Sequence, residues 1–525
     1  MRVPICLGDR HVNALTQPTL DLTAPSTPQP SSSVFGLQIA CGLIGILLAV
    51  LIAGFNESVT KVAMADIRGA MGFDYDQGTW LIAAYAATSV TAMAFAPWCA
   101  VTFTFRRFVI VAMGAYSLVA FACPFAPSYE SLLALRAIQG LMGGAMPPML
   151  MSVALRYLPP NVKLYGLGAY ALTATFGPSF GIPLAAWSVE YFGWRFAFWQ
   201  VIPMCLFSMA LVSWGMPKDP LRLERFKAFN VRGFFLGAPA IIMIVLGLEQ
   251  GQRLDWFNSD VIKLLLGGGL ALLALFLANE WNHPSPFFKV QLLRRRNLAH
   301  SLITLGGILF IMGATIAIPS SYLAAIHGYR PLETMPALLL VAAPQFLIIP
   351  LVVAILNNRI VDCRYVLAAG FALLAFACYL GAHMTSEWIR DNFYVIQIIQ
   401  AFAQPMAVIP VIMLSVTGLD AKDGPFASAW FNTLKGFAGV AAASVIEVLS
   451  LHREHFHSTM LVDQLGNRGL ANSPVDTADL AHRLHLQVMT LTSADLYAYV
   501  GLACLVMIPL IAILPTRIYP PTVIK

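Results

Sequence analysis

Apolar stretches of about twenty residues, each closed by a short polar break, recur from residue 35 almost to the end of the chain. A helix rises 1.5 Å per residue, so about twenty apolar residues cross the roughly 30 Å hydrocarbon layer of a bilayer. On that ruler the pattern predicts fourteen helical spans, near 35–57, 78–100, 108–126, 130–153, 164–187, 196–215, 231–250, 261–279, 299–322, 334–356, 365–384, 392–417, 425–449 and 494–515. Glycine and proline are common inside them, which a bilayer span tolerates better than a soluble helix does. The fold class that follows is an all-α polytopic membrane protein.

Composition agrees. The 525 residues are 58% hydrophobic and 11% charged, with a mean hydropathy of +0.73. A soluble domain carries about 25% charged residues, so lipid must be most of this chain's solvent. The net charge of +6 is spread in short clusters between apolar runs, unlike the single basic face of a nucleic-acid binder. Eight cysteines are scattered without a CxxC pair and read as small apolar core residues, with no metal or cofactor implied.

Charge in the loops sets the orientation. With the N-terminus cytoplasmic, about 20 of the 32 basic residues fall in inner loops and tails, including Arg106-Arg107, the Lys218 to Arg232 cluster and Arg294-Arg295-Arg296. Asp74, Asp76, Glu130 and Glu190 fall outside. Residues 1–33, which carry Arg2, Arg10 and five prolines but no cleavable signal, read as a disordered cytoplasmic tail, and 517–525 as a second cytoplasmic tail. A long outer loop, 451–493, holds His452, His455, His457, His482 and His485. Their spacing is loose for a metal site, and a solvated amphipathic hairpin or a periplasmic docking surface accounts for them as well.

An ionisable group inside a span costs about 3 kcal/mol or more and is therefore a functional candidate. Arg136 lies about six residues into the fourth span, roughly 9 Å deep, and Glu57 sits at a similar level near the outer end of the first. The two form a pair that protonation breaks, or Glu57 meets water at the interface; both readings stay open. Lys435, roughly 15 Å into the thirteenth span, must face a polar cavity, where it lines the substrate path or attracts an anion. Glu249, Glu447 and His383 read as interfacial.

The stretch Leu135-Arg136-Ala137-Ile138-Gln139-Gly140-Leu141-Met142-Gly143-Gly144 resembles motif B of major facilitator superfamily transporters, and Gly177-Pro178-Ser179-Phe180-Gly181 resembles their antiporter motif C. Gly193-Trp194-Arg195-Phe196 is similar to the family's lead into helix six, and Asp76-Gln77-Gly78-Thr79-Trp80 with Tyr85 to the helix-two entry of fourteen-helix drug:proton antiporters of the EmrB/QacA type. The loop beginning His452-Arg453-Glu454-His455 also resembles the EmrB branch. The resemblance covers nearly the whole chain after residue 34. It implies the major facilitator fold, with two pseudo-symmetric six-helix halves at 34–215 and 298–516 and two inserted central helices within 216–297. It further implies proton-coupling roles for Arg136, Gln139, Asn56 and Glu57, helix shaping by Gly177, Pro178 and Gly181, and a substrate path past Tyr85, Asn432 and Lys435. The implied location is a bacterial inner membrane, with a periplasmic membrane-fusion adaptor and an outer-membrane channel as partners. The chain also departs from the family. Asn56-Glu57 stands where these exporters carry a Leu-Asp-x-Thr pattern, motif A is reduced to a stretch ending in Arg106-Arg107, and Ile182 replaces the last glycine of motif C.

The leading expectation is a proton-driven exporter of small organic compounds, embedded in lipid. No GxxxxGK[ST] occurs, which argues against ATP, and no HExxH argues for an enzyme. A proton-linked importer of organic anions and a transport-incompetent sensor are the alternatives.

Overall fold

The computed structural model describes residues 36–358, 360–417, 419, 423–467 and 477–514. The two predicted tails lie outside the described residues, as do Arg359 and Lys422 of the basic loops. Fourteen long helices follow one another: α1 Leu37–Met71, α2 Tyr75–Phe103, α3 Phe105–Phe125, α4 Tyr129–Tyr157, α5 Pro160–Phe192, α6 Trp194–Gly215 and α7 Val231–Gln250. The second seven are α8 Asp260–Asn282, α9 Arg296–His327, α10 Pro331–Leu356, α11 Cys363–Gly381, α12 Arg390–Val416, α13 Gly424–Asn467 and α14 Ala478–Ile513. Each predicted span falls on one of them. Thirteen are long and apolar enough to cross a membrane. The fourteenth, α5, is studded with buried Thr173, Thr175, Ser179 and Ser188 and is packed between α1 and α10.

Two corrections concern helix length. The apolar ruler ends the first span at Glu57, but α1 runs on to Met71 and stops at Gly72, whose φ of 71° suits glycine. Hydropathy marks only the apolar part of a helix, and residues 58–71 continue it with a polar stripe. In the predicted outer loop, residues 451–467 continue α13 and α14 begins by Ala478, so the described part is helical on both arms. At their base Asp495 takes Arg453 Nε at 2.7 Å and lies 2.6 Å from His457 Nε2. Among the described residues no group of histidines, cysteines and acids is arranged to hold a metal.

Packing divides the helices into two bundles. In the first, α1 lies on α5 and α6, and α2 on α4; in the second, α9 lies on α12, α13 and α14, and α11 on α12 and α14. Small residues bring the backbones together. A Cβ on Gly144 would stand 2.1 Å from Ser89 O, and one on Gly215 would stand 2.2 Å from Gly42 N. The bundles meet along two main seams, α2 with α13 and α5 with α10. If α2 corresponds to α10 and α5 to α13, one seam maps onto the other, as a pseudo-two-fold arrangement requires.

The inserted pair, α7 and α8, leans against the α2–α13 seam, with α7 innermost. Fully buried Glu280 anchors it by accepting hydrogen bonds from Asn230, Phe287 N and Phe288 N. Around that carboxylate Phe95, Trp98, Phe229, Phe234, Phe276 and Phe287 pack edge to face.

Candidate functional site

A cavity of about 630 Å³ lies between the bundles, walled by α1, α2, α4, α5, α7, α9, α10 and α13. It reaches the first turn of α10 at Pro331 and Thr334, and so extends toward the face on which α1 ends. On the opposite face, where the predicted basic loops lie, the halves are joined. Tyr170 Oη donates to Asn432 Oδ1 at 2.7 Å, Ser428 Oγ donates to Pro148 O at 2.9 Å, and Val353 closes on Gly168. The cavity is therefore closed on one side by cross-bundle hydrogen bonds. Its rim carries one further link, an exposed ion pair between Arg330 and Glu190 at 3.1 Å, of the kind worth about 1 kcal/mol or less.

Most of the lining is apolar, and five ionisable side chains face it: Glu57, Lys61, Arg136, Glu249 and Lys435. Arg136 is the deepest set, 1% exposed. Its Nη1 donates to Asn56 Oδ1 at 2.8 Å and to Gln139 Oε1 at 2.6 Å, and its guanidinium lies 4.2 Å over the Tyr85 ring. Tyr85 is itself fixed by donating to Ala53 O at 3.1 Å. Thus α1, α2 and α4 hold the cation between neutral oxygens and an aromatic face. Among the described residues Arg136 Nε, Asn56 Nδ2 and Gln139 Nε2 have no hydrogen-bond partner. A buried network left this incomplete is a usual mark of function.

Glu57 does not join that network. One residue turns a helix by about 100°, and its carboxylate meets Lys61 at 3.1 Å, one turn along α1, with both side chains about half exposed. Lys435 lies in the opposite wall with its Nζ 5.4 Å from the Tyr170 ring centroid, and makes no ion pair among the described residues. Asn432, one turn earlier, belongs to the closed side, where Tyr170 and Ser428 hold it. Of the antiporter-like residues, Pro178 lines the cavity, Gly181 abuts α1 at Phe55 and Ser58, and Gly177 faces open space.

Sequence reasoning grouped Arg136, Gln139, Asn56 and Glu57, and the structure brings the first three together while Glu57 pairs with Lys61. Tyr85, expected on the substrate path with Asn432 and Lys435, lies under the Arg136 guanidinium. Sequence reasoning passed over Lys61, Tyr170 and Ser428 and set Glu249 at an interface. The recurrence of cavity-facing residues at 50, 53–54, 57–58 and 61–62 along α1 was the available signal for Lys61.

Residues 46–443 match the model of the Major Facilitator Superfamily. The chain is 25% identical over 446 residues to the probable multidrug resistance protein EmrY of Escherichia coli strain K12, covering 83% of this chain and 84% of that protein. It is 26% identical over 433 residues to the multidrug export protein EmrB of Haemophilus influenzae, covering 81% and 83%. Among solved structures, the human organic anion transporter MFSD10 superposes with a TM-score of 0.55 at 12% identity, covering 91% of this chain and all of that one.

Proposed function

Since the chain belongs to the Major Facilitator Superfamily, and so is a multi-pass membrane transporter and not an enzyme, we propose that it is a proton-coupled exporter of small organic compounds. The observation that carries this reading is Arg136, buried in the cavity wall on neutral acceptors with the Glu57–Lys61 pair one turn away. Lys61 lies within electrostatic reach of Arg136. While Glu57 is ionised it balances Lys61. A proton on Glu57 removes that balance and leaves two cations, Lys61 and Arg136, within electrostatic reach of each other, so the protonated state favours a different arrangement of the helices. A compound in the cavity biases the same equilibrium by its differential affinity for the two arrangements, which is the condition for coupling.

The cavity suits an organic compound: apolar, of a volume typical of small-molecule sites, with a few charges to orient a ligand. The halves 34–215 and 298–516 would rock about it, alternately breaking the Tyr170–Asn432 contact and closing the rim. The multidrug names of EmrY and EmrB support export. A bacterial inner membrane, a cytoplasmic N-terminus, and an adaptor with an outer-membrane channel complete the reading, by analogy with that branch. A second reading, proton-linked uptake of an organic anion, has one observation in its favour, Lys435 in the cavity wall with no ion pair among the described residues.

The test is proton flux in inverted membrane vesicles carrying an acid-inside gradient and challenged with lipophilic drugs and aromatic acids. Export predicts compound-dependent loss of the gradient that disappears in Glu57→Gln and in Arg136→Ala. Folded protein that dissipates no gradient with any compound overturns it. Gradient-driven movement of the acids in the import direction selects the second reading.

A further inference from the structure

The inserted helix α7 contributes one side chain to the ionisable lining of the cavity, Glu249, one residue before its end. Among the described residues this carboxylate makes no hydrogen bond and no ion pair. Its neighbours do not neutralise it. From α1 it faces Lys61 and Glu57, and from α13 Glu447. Lys61 is already engaged by Glu57 at 3.1 Å. On α2, Asp76 is taken by Arg253 at 2.9 Å, and on α8 Asp260 and Lys263 pair with each other at 2.9 Å. Beside Glu249 there are thus two carboxylates and one ammonium, the ammonium already engaged by one of them, in the wall of a cavity that is otherwise mostly apolar.

A carboxylate in such a place is favoured with a proton or with a cation that brings its own apolar surface, because a charge taken from water without a partner is costly. The position is held firmly. Ser444 Oγ of α13 donates to Leu248 O at 2.9 Å, and Thr79 of α2 bonds to Gln250, so the backbone on either side of Glu249 is tied to both walls of the α2–α13 seam. We propose that Glu249 is the group that receives the positive head of lipophilic cations, so that the inserted helix pair forms part of the substrate site. Protons and the cation then compete for one carboxylate. This rests on the reading of the cavity as an organic-compound site and deepens it to one charge class.

The test uses two ions of the same shape and opposite charge, tetraphenylphosphonium and tetraphenylborate, binding to the purified full-length protein in detergent. The wild type is expected to bind the phosphonium more weakly as the pH is lowered. Glu249→Gln should weaken phosphonium binding at least tenfold and remove its pH dependence while leaving borate binding unchanged, and Glu249→Asp should restore part of the affinity. Borate binding by the glutamine variant also reports that it is folded. Equal phosphonium binding by wild type and Glu249→Gln overturns the assignment and leaves the organic-compound site standing, as does equal weakening of both ions. A wild-type protein that binds neither ion overturns both.

Discussion

Asn56 offers Arg136 a neutral oxygen at 2.8 Å where a carboxylate would bring a charge. A buried guanidinium without a counter-ion is costly, and removing one partner of a buried pair typically costs about 3–5 kcal/mol. Asn56→Asp therefore installs the missing partner without changing side-chain size. It should raise the resistance of the purified protein to thermal unfolding, by about 1–3 kcal/mol at neutral pH; an unchanged or lower melting temperature would mean that the neutral cradle already satisfies the cation. At this scale the sequence was partly legible. Arg136 and Gln139 stand out because a charged and a polar residue one turn apart inside an apolar run need a reason. The departure at Asn56 was visible too, but its partner was not. Whether Asn56 or Glu57 faces Arg136 depends on helix rotation, and neighbouring positions about 100° apart point at different helices.

Helix contacts make two motif glycines behave oppositely. Gly144 sits against the α2 backbone, where an added Cβ would lie 2.1 Å from Ser89 O and 2.5 Å from Ser89 Cα. Backbone cannot move aside as a side chain can, so Gly144→Ala should destabilise by about 3 kcal/mol or more, near the upper range of overpacking costs. Gly177 has nothing within 4 Å of such an atom, and alanine is the better helix former by about 1 kcal/mol. Gly177→Ala should keep or slightly raise the melting temperature. Size-exclusion profiles and melting curves of the two variants, side by side, check both statements. The glycines were readable as a close-packing signal, but not which of them carries the contact. Helix ends were similarly hidden. The last turns of α1 and the projecting arms of α13 and α14 are amphipathic, so a ruler that counts apolar residues passes over them.

For the molecule as a whole, the seams between the bundles decide which face is closed, and a covalent link can hold one seam. A Cβ built on Gly424 of α13 lies 3.9 Å from Leu155 Cβ of α4, inside the usual Cβ separation of about 3.5–4.5 Å for a disulfide. Leu155→Cys with Gly424→Cys, on a background lacking the native thiols, should cross-link under mild oxidation and stop transport, while phosphonium or borate still binds from the open side. Reductant should restore transport. Oxidised, cross-linked protein that still transports would show that this seam need not open. The pairing of α2 with α13 and α5 with α10 joins segments more than a hundred residues apart, and no local pattern of hydrophobicity encodes it. The likeness of the two halves suggested a symmetric arrangement, yet where the inserted pair would settle had no counterpart in the repeat to guide it.

The length of α13 has a mechanical consequence. Its 44 residues form one helix with proline only in the first turn, about 66 Å end to end, or some twice the thickness of the hydrocarbon layer. Its lower part carries Lys435, Gly436 and Gly439 into the cavity wall, and its upper part stands clear of the bundle, clasped to α14 through Asp495. A rod held in this way is a lever with its fulcrum in the membrane. A tilt of about 10° at the cavity would displace the far end of its last eighteen residues, about 27 Å long, by about 5 Å, so a small rotation beside Lys435 is magnified at the projecting tip.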